Sequence, residues 1–240
     1  MAKRPIFTPN FSGFPYVDTI DIEFKWHPGF AKSQLQKSIA SLHEAAEKLN
    51  KISPILEISS KSISRLGVSL SAFNLSLKTP DGQQMSVECA YQGSKVFENG
   101  GPYHELYSVS SLKAKTDERL HNSGKLIAFN FCGEDFPTEP KTAFYDWLYM
   151  TGLYEKKRDF VKDLEVFQGF SDIVFNPNRS INCQARAAAL FVSLSRNRLM
   201  DEQIFRDKSH YLALITGEDV LPPTESDPIQ DTLQFSNLTL

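Results

Sequence analysis

Hydrophobic and polar positions alternate most strictly near the start of the chain, where Ile20, Ile22, Phe24 and Trp26 interleave with Asp21, Glu23 and Lys25. Period-two alternation predicts a strand with one buried face, and Pro28-Gly29 ends it. The period then lengthens. Leu35, Ile39, Leu42, Ala46 and Leu49 recur every three or four residues, which predicts a helix with one apolar face. Residues 1–16, rich in Pro, Gly and Phe, predict an irregular arm ahead of that strand. Further on, residues 55–60 and 66–77 predict strands, and Pro80-Asp81-Gly82 predicts a turn. Residues 86–97 predict a helix, closed off by Asn99-Gly100-Gly101-Pro102. Helix is expected over 103–121, a short strand over 125–131, and two helices over 138–155 and 158–168. The first of these two carries Phe144, Tyr145, Trp147 and Tyr149. A strand at 173–175, a buried helix over 183–194 and a last helix near 207–216 complete the pattern. From Pro222 onward periodicity is lost, which predicts a disordered or loosely docked tail.

Composition narrows the picture. The 240 residues suffice for one large domain or two small ones. A formal net charge of −3 argues against a strong nonspecific nucleic-acid binder. The charge is uneven, because Glu218, Asp219, Glu225, Asp227 and Asp231 all follow Lys208, after which there is no Lys or Arg; without those five acids the net charge is +2. A mildly basic body with an acidic tail is the result. Cys89, Cys132 and Cys183 are odd in number and widely spaced, which fits reduced thiols and offers no zinc pattern. No stretch has the length of a signal peptide's apolar core or of a membrane span. The expectation is a soluble cytoplasmic protein that does not engage a membrane and needs no metal or cofactor.

The region that draws attention chemically is Ser86-Val-Glu-Cys-Ala-Tyr-Gln-Gly-Ser-Lys95. On a helix turning about 100° per residue, Glu88, Gln92 and Lys95 fall within roughly 60° of one another, with Tyr91 at one edge. Ala90 and Phe97 take the opposite side. Ion pairs on helices form at three- or four-residue spacing, whereas a seven-residue gap is about 10 Å of rise. Two readings follow from the pattern: a solvated face, or a carboxylate and an amine set apart by the width of a ligand.

Leu70-Ser-Ala-Phe-Asn74, Asp81-Gly82 and then Ser86-Val-Glu-x-Ala-Tyr-Gln-x-x-Lys95 resemble, in order and spacing, the strand–turn–helix signature of the NADAR/YbiA-like superfamily; Ala114-Lys115 also fits. The whole chain is similar to the longer NADAR proteins associated with DarT-type DNA ADP-ribosyltransferase toxins. It departs from the pattern where Cys89 replaces the common His, where the downstream block survives only as Asp146-Trp147, and where Ser180-Ile-Asn-Cys-Gln-Ala-Arg186 replaces a Gly-rich block.

The resemblance implies an α+β, mainly α fold: a YbiA-like helical domain with a small antiparallel sheet over residues 54–216, an N-terminal strand–helix extension over 1–53, and an acidic tail over 217–240. It implies an ADP-ribosyl glycohydrolase that removes ADP-ribose from guanine bases of DNA and so acts as an antitoxin. ADP-ribosylated DNA is the implied substrate and the cognate DarT-type toxin a second implied partner. Under that reading Lys95 is the nucleophile, forming a Schiff base with the opened ribose, with Lys61 as its rival. Glu88 shuttles protons and Asp146 is the second carboxylate. Lys61, Arg65, Asn74, Asn182 and Arg186 are candidates for the diphosphate and riboses, Tyr91 and Gln92 for the remaining ligand contacts, and Trp147 or Tyr145 for stacking on a base. Burial lowers the pKa of the Lys95 amine and Glu88 raises it; the pattern leaves the balance open. Two other functions remain: an N-glycosidase acting on a small phosphorylated metabolite, as in riboflavin metabolism, and a non-enzymatic protein that binds ADP-ribose or neutralises the toxin by contact.

Overall fold

The computed structural model describes residues 1–218 apart from Phe30, Lys157 and Arg179. From position 219 on, the expected acidic tail lies outside the described residues, as does its predicted disorder. The chain opens with a hairpin, β1 (Ala2–Pro9) and β2 (Val17–Phe24), paired from Ala2↔Phe24 to Pro9↔Val17. The irregular arm expected over residues 1–16 is therefore strand over Ala2–Pro9 and irregular only beyond it. Its prolines argue against a strand interior, but Ile6 and Phe7 are buried against the core and hold the segment in register with the alternating β2. Helix α1 (Lys32–Asn50) follows as expected and buries Ile39, Leu42 and Ala46. Strand β3 (Ile55–Glu57) then enters the main sheet.

Between β3 and the turn at Asp81-Gly82 the pattern misleads. Instead of a strand over 66–77 there is a short helix, α2 (Arg65–Ser69), and then β4 (Ser76–Lys78), which pairs with β5 (Gln84–Ser86). Ser64 starts α2 by accepting from the Gly67 N–H, a local capping bond that favours helix over an extended chain. Helix α3 (Val87–Gly93) and strand β6 (Lys95–Phe97) come next. The helix expected over 103–121 is broken into a 3-10 turn at His104–Ser108, α4 (Ser111–Lys115) and α5 (Arg119–Asn122). Ser110 caps α4, which marks a fresh start rather than a continuation.

Strand β7 (Leu126–Phe131) sits between β6 and β8 (Glu134–Phe136) in a three-stranded antiparallel sheet. Helices α6 (Ala143–Tyr154) and α7 (Arg158–Glu165) follow. The strand expected at 173–175 lies earlier, as β9 (Gly169–Ser171). Gly169 places it there: a Cβ would sit 2.8 Å from Ile6 Cγ2, so only glycine lets the two strands approach. Helices α8 (Gln184–Arg196), α9 (Gln203–Arg206) and α10 (Lys208–Thr216) end the described chain.

The result is a mixed fold of the α+β kind. Its main sheet runs β2-β1-β9-β3, with β3 and β9 parallel and the other pairs antiparallel; beside it, β6-β7-β8 forms a small antiparallel sheet of the kind expected. Helices α6 and α8 pack against each other at the centre and are buried on nearly all sides, which explains why the sequence of α6 shows little amphipathic period. Among the described residues no helix is long and apolar enough to cross a membrane.

Candidate active site

Helix α3 is anchored at its start. The Ser86 hydroxyl accepts from the Cys89 N–H at 3.1 Å, and the N–H groups of Val87 and Glu88 donate to the carbonyls of Leu75 and Ala72, each at 2.9 Å. Val87, Cys89 and Ala90 face the core. Glu88 is also buried, at 6 % exposure, in the first turn where the helix dipole favours an anion. Gln92 Nε2 donates to Glu88 Oε1 at 2.9 Å. The Gln92 carbonyl oxygen is buried and, among the described residues, has no partner.

The helix does not reach Lys95. It ends at Gly93, with Ser94 as its C-cap and the Ser94 hydroxyl donating to the Ala90 carbonyl. A Cβ on Gly93 would lie 2.5 Å from Tyr107 Cε1, so Tyr107 seals the helix end. Val96 and Phe97 then favour an extended chain, and Lys95 opens β6, paired with Phe129. The seven-residue helical spacing inferred from sequence is thereby corrected: Lys95 leaves on a strand, and its Nζ folds back to 4.7 Å from the centre of the Tyr91 ring. That ring is packed by Phe129, Phe144 and the edge of Tyr145.

Burial pulls the Lys95 amine down to about 8; Glu88 opposes this and the nearby charge of Lys115 adds to it. The competition left open by the sequence thus goes to desolvation. Burial, reinforced by Glu88, pushes the Tyr91 hydroxyl up. Asn182 Nδ2 donates to that hydroxyl at 2.6 Å, and the Asn182 carbonyl oxygen is a second buried acceptor without a partner among the described residues. The group thus holds an amine, a carboxylate, a phenol and two unfilled acceptors.

A second carboxylate emerges that sequence reasoning missed. Asp172, directly after β9, accepts from the N–H groups of Val174 and Phe175 at 3.0 and 3.2 Å and from Gln184 Nε2 at 2.9 Å. Burial raises it to about 6, against these donors and the charge of Lys115. Lys115 therefore acts on both Asp172 and Lys95, and the buried Tyr145 hydroxyl feels both Glu88 and Asp172. The one available signal was a carboxylate at the end of a short buried strand; no motif surrounds it.

The other candidates stand elsewhere. Asp146 is 1 % exposed and ion-paired to Arg186, which also donates to the Thr142 hydroxyl. Burial raises Asp146 while Arg186 lowers it. This pair lines a cavity of about 70 Å³ with Phe14, Tyr16 and Pro140, beneath the hairpin loop. Trp147 packs on Phe131 and Phe136, and its Nε1 donates to the Ile204 carbonyl. Asn74 is exposed and donates to the Val68 carbonyl; Arg65 is exposed at the start of α2. Lys61 is half-buried, its N–H on the Ser59 hydroxyl and its carbonyl accepting from Gln36. Of the residues singled out by sequence, the fold gathers Glu88, Tyr91, Gln92, Lys95 and Asn182. Among the described residues no group of three or more His, Cys, Asp or Glu side chains is placed to hold a metal ion.

Among curated proteins none matches this chain. The family model for DarT1-associated NADAR antitoxins matches residues 2–224. That span covers the hairpin, α1 and every residue of the cluster around Lys95, and on it the chain belongs to the family of DarT1-associated NADAR antitoxins.

Proposed function

We propose that this chain is an ADP-ribosyl glycohydrolase that removes ADP-ribose from guanine in DNA and so reverses the lesion made by a DarT1-type toxin. The observation that carries the reading is the Lys95 amine, lowered to about 8 on top of Tyr91 and in the field of Glu88. At pH 7 roughly one such amine in ten is neutral, against about one in three thousand for an ordinary lysine. A neutral amine is the nucleophile that an opened sugar aldehyde or its imine needs.

The steps balance without a further reagent. Glu88 takes the proton of the base nitrogen and passes it to the ribose ring oxygen as the C1–O bond opens, leaving a neutral imine between C1 and that nitrogen. Lys95 adds to C1, and the base leaves as the amine, taking a proton. The resulting lysine Schiff base is hydrolysed by water, deprotonated by Glu88, which releases ADP-ribose and restores the amine. The unfilled acceptors on Gln92 and Asn182 suit sugar hydroxyls or a base N–H. Asp172 is assigned the second carboxylate role, holding sugar hydroxyls, because Asp146 is engaged by Arg186.

Borohydride added during turnover on ADP-ribosylated DNA tests this. A reduced adduct on the peptide containing Lys95 is expected. An adduct on Lys61, or full activity with none, overturns the assignment of the nucleophile. Release only from a small phosphorylated metabolite, or no release alongside a tight toxin complex, overturns the proposed activity.

A further inference from the structure

Asp172 does not stand alone. Glu57, at the end of β3 and fully buried, takes the Ser171 hydroxyl on Oε2 at 2.5 Å and the Ile173 N–H on Oε1 at 3.0 Å. Its carboxyl therefore grips the residues immediately before and after Asp172. The Ser59 hydroxyl donates to the same Oε1 at 2.7 Å. On the far side, His43 Nε2 of α1 lies 2.8 Å from Ser171 Oγ. The chain of contacts also continues inward. Gln184, which donates to Asp172, donates to the Ile58 carbonyl and accepts from the Ala72 N–H at 2.7 Å, and the Ala72 carbonyl accepts from the Glu88 N–H. One hydrogen-bonded path thus joins α1, β9 and β3 to the first turn of α3.

We propose that Glu57, Ser171 and His43 are positioning residues that hold Asp172 in place as the second carboxylate of the Lys95 cleft, with the N-terminal helix supplying the outermost member. The inference rests on the glycohydrolase reading given above. None of the three touches substrate in this scheme; Ser171 is fully buried.

The charges around the pair fit this role. Glu57 is raised first by burial and then by Asp172, and burial raises Asp172 as well, so the pair disfavours two charges at once. Burial holds His43 down to about 4, leaving a neutral imidazole that can either donate to or accept from Ser171. The groups that meet the field of Asp172 from neighbouring elements are Lys115, Arg4, Glu57, Cys183, Tyr145 and Tyr149. Glutamine keeps the shape of the carboxyl: its oxygen can accept from Ile173 and Ser59 as Oε1 does, and its amide donates to Ser171, whose hydroxyl then turns to donate to His43.

Steady-state kinetics on ADP-ribosylated DNA test the inference. Glu57→Ala is expected to lower kcat about 10- to 100-fold, the range for misplacing a reacting group by about an ångström, with KM changed less than threefold. Glu57→Gln is expected to restore kcat to within about threefold of wild type, a rescue that simple loss of packing would not give. Ser171→Ala removes one oxygen and both of its hydrogen bonds. It serves as the second variant should Glu57→Ala fail to fold, with the same expected fall in kcat at unchanged KM. Either folded variant with wild-type kcat, or a loss in Glu57→Gln as deep as in Glu57→Ala, overturns the positioning role while wild-type activity stands. Wild-type protein that neither releases ADP-ribose nor traps at Lys95 overturns the reading of the cleft, and the positioning role with it.

Discussion

At Lys95 the requirements of stability and of reaction oppose each other. Holding an amine at about 8 in the folded chain, against about 10.4 when unfolded, disfavours the folded ammonium by roughly 3 kcal/mol near neutral pH. The sign follows from proton counts. Between about pH 8 and 10.5 the unfolded chain binds more protons, so the penalty is complete below 8 and fades as pH rises through that window. Lys95→Met should therefore raise the melting temperature at pH 7, by less than the full penalty because the contact with Tyr91 is also lost, and the gain should shrink toward pH 10. The same variant should release no ADP-ribose, a stability–activity trade of the kind active sites often show. Thermal melts across that pH range check the first claim; a destabilised Lys95→Met at pH 7 would count against burial as the dominant cause. In the wild type, single-turnover release should climb about tenfold per pH unit below 8 and level off above it. A rate flat between pH 6.5 and 9 would mean that the amine is not the group being deprotonated.

At the scale of elements, what the sequence made legible was the helical start of the site, not its end. Ser86 and Glu88 announce an N-terminus by residue type alone, and the core-facing Val87, Cys89 and Ala90 give its inner face. The end was hidden because Gly93 terminates α3 through a tertiary contact, Tyr107, thirteen residues or more along the chain from the site it seals. Asp172 was hidden for a related reason: its surroundings come from β3, α4 and α8, and no local period records them. Asp146 was legible as a carboxylate among aromatics, but its partner, Arg186, lies 40 residues away on α8. The Tyr107 contact also supplies a test. Gly93→Ala puts a methyl group 2.5 Å from the Tyr107 ring, which must move and give up the 2.8 Å bond between its hydroxyl and Ser94, the residue before Lys95. A stability loss of about 1–3 kcal/mol is expected from the overpacking, with release of ADP-ribose falling further than the folded fraction does. Denaturant titration beside single-turnover assays separates the two. Wild-type activity per folded molecule would show that the seal does not set the position of Lys95.

For the whole molecule the question is whether the first 53 residues are an appendage or part of the body. The periodicity marked their strand and helix but carried no sign of how they attach. In the fold β1 lies inside the main sheet, between β2 and β9. Ile6, Ile22, Phe24, Ile39, Leu42, Ala46 and Ile52 share one apolar cluster with Ile173 from later in the chain, while Phe7 packs into the larger core. Cutting before residue 54 would leave β9 without its β1 neighbour, bare the Ile173 side of the sheet and remove His43 from Ser171. Each side chain bared costs about 1.5–3 kcal/mol, so even a few take up a large part of the margin of about 5–15 kcal/mol by which most domains are stable. A chain of residues 54–240 should therefore fail to fold cooperatively, with poor amide dispersion and no sharp melt. Adding residues 1–53 in trans should restore structure and, because His43 returns with them, release of ADP-ribose as well. If the shortened chain instead folds alone with full activity, the N-terminal segment is dispensable, and the path from His43 to Asp172 has no part in the reaction.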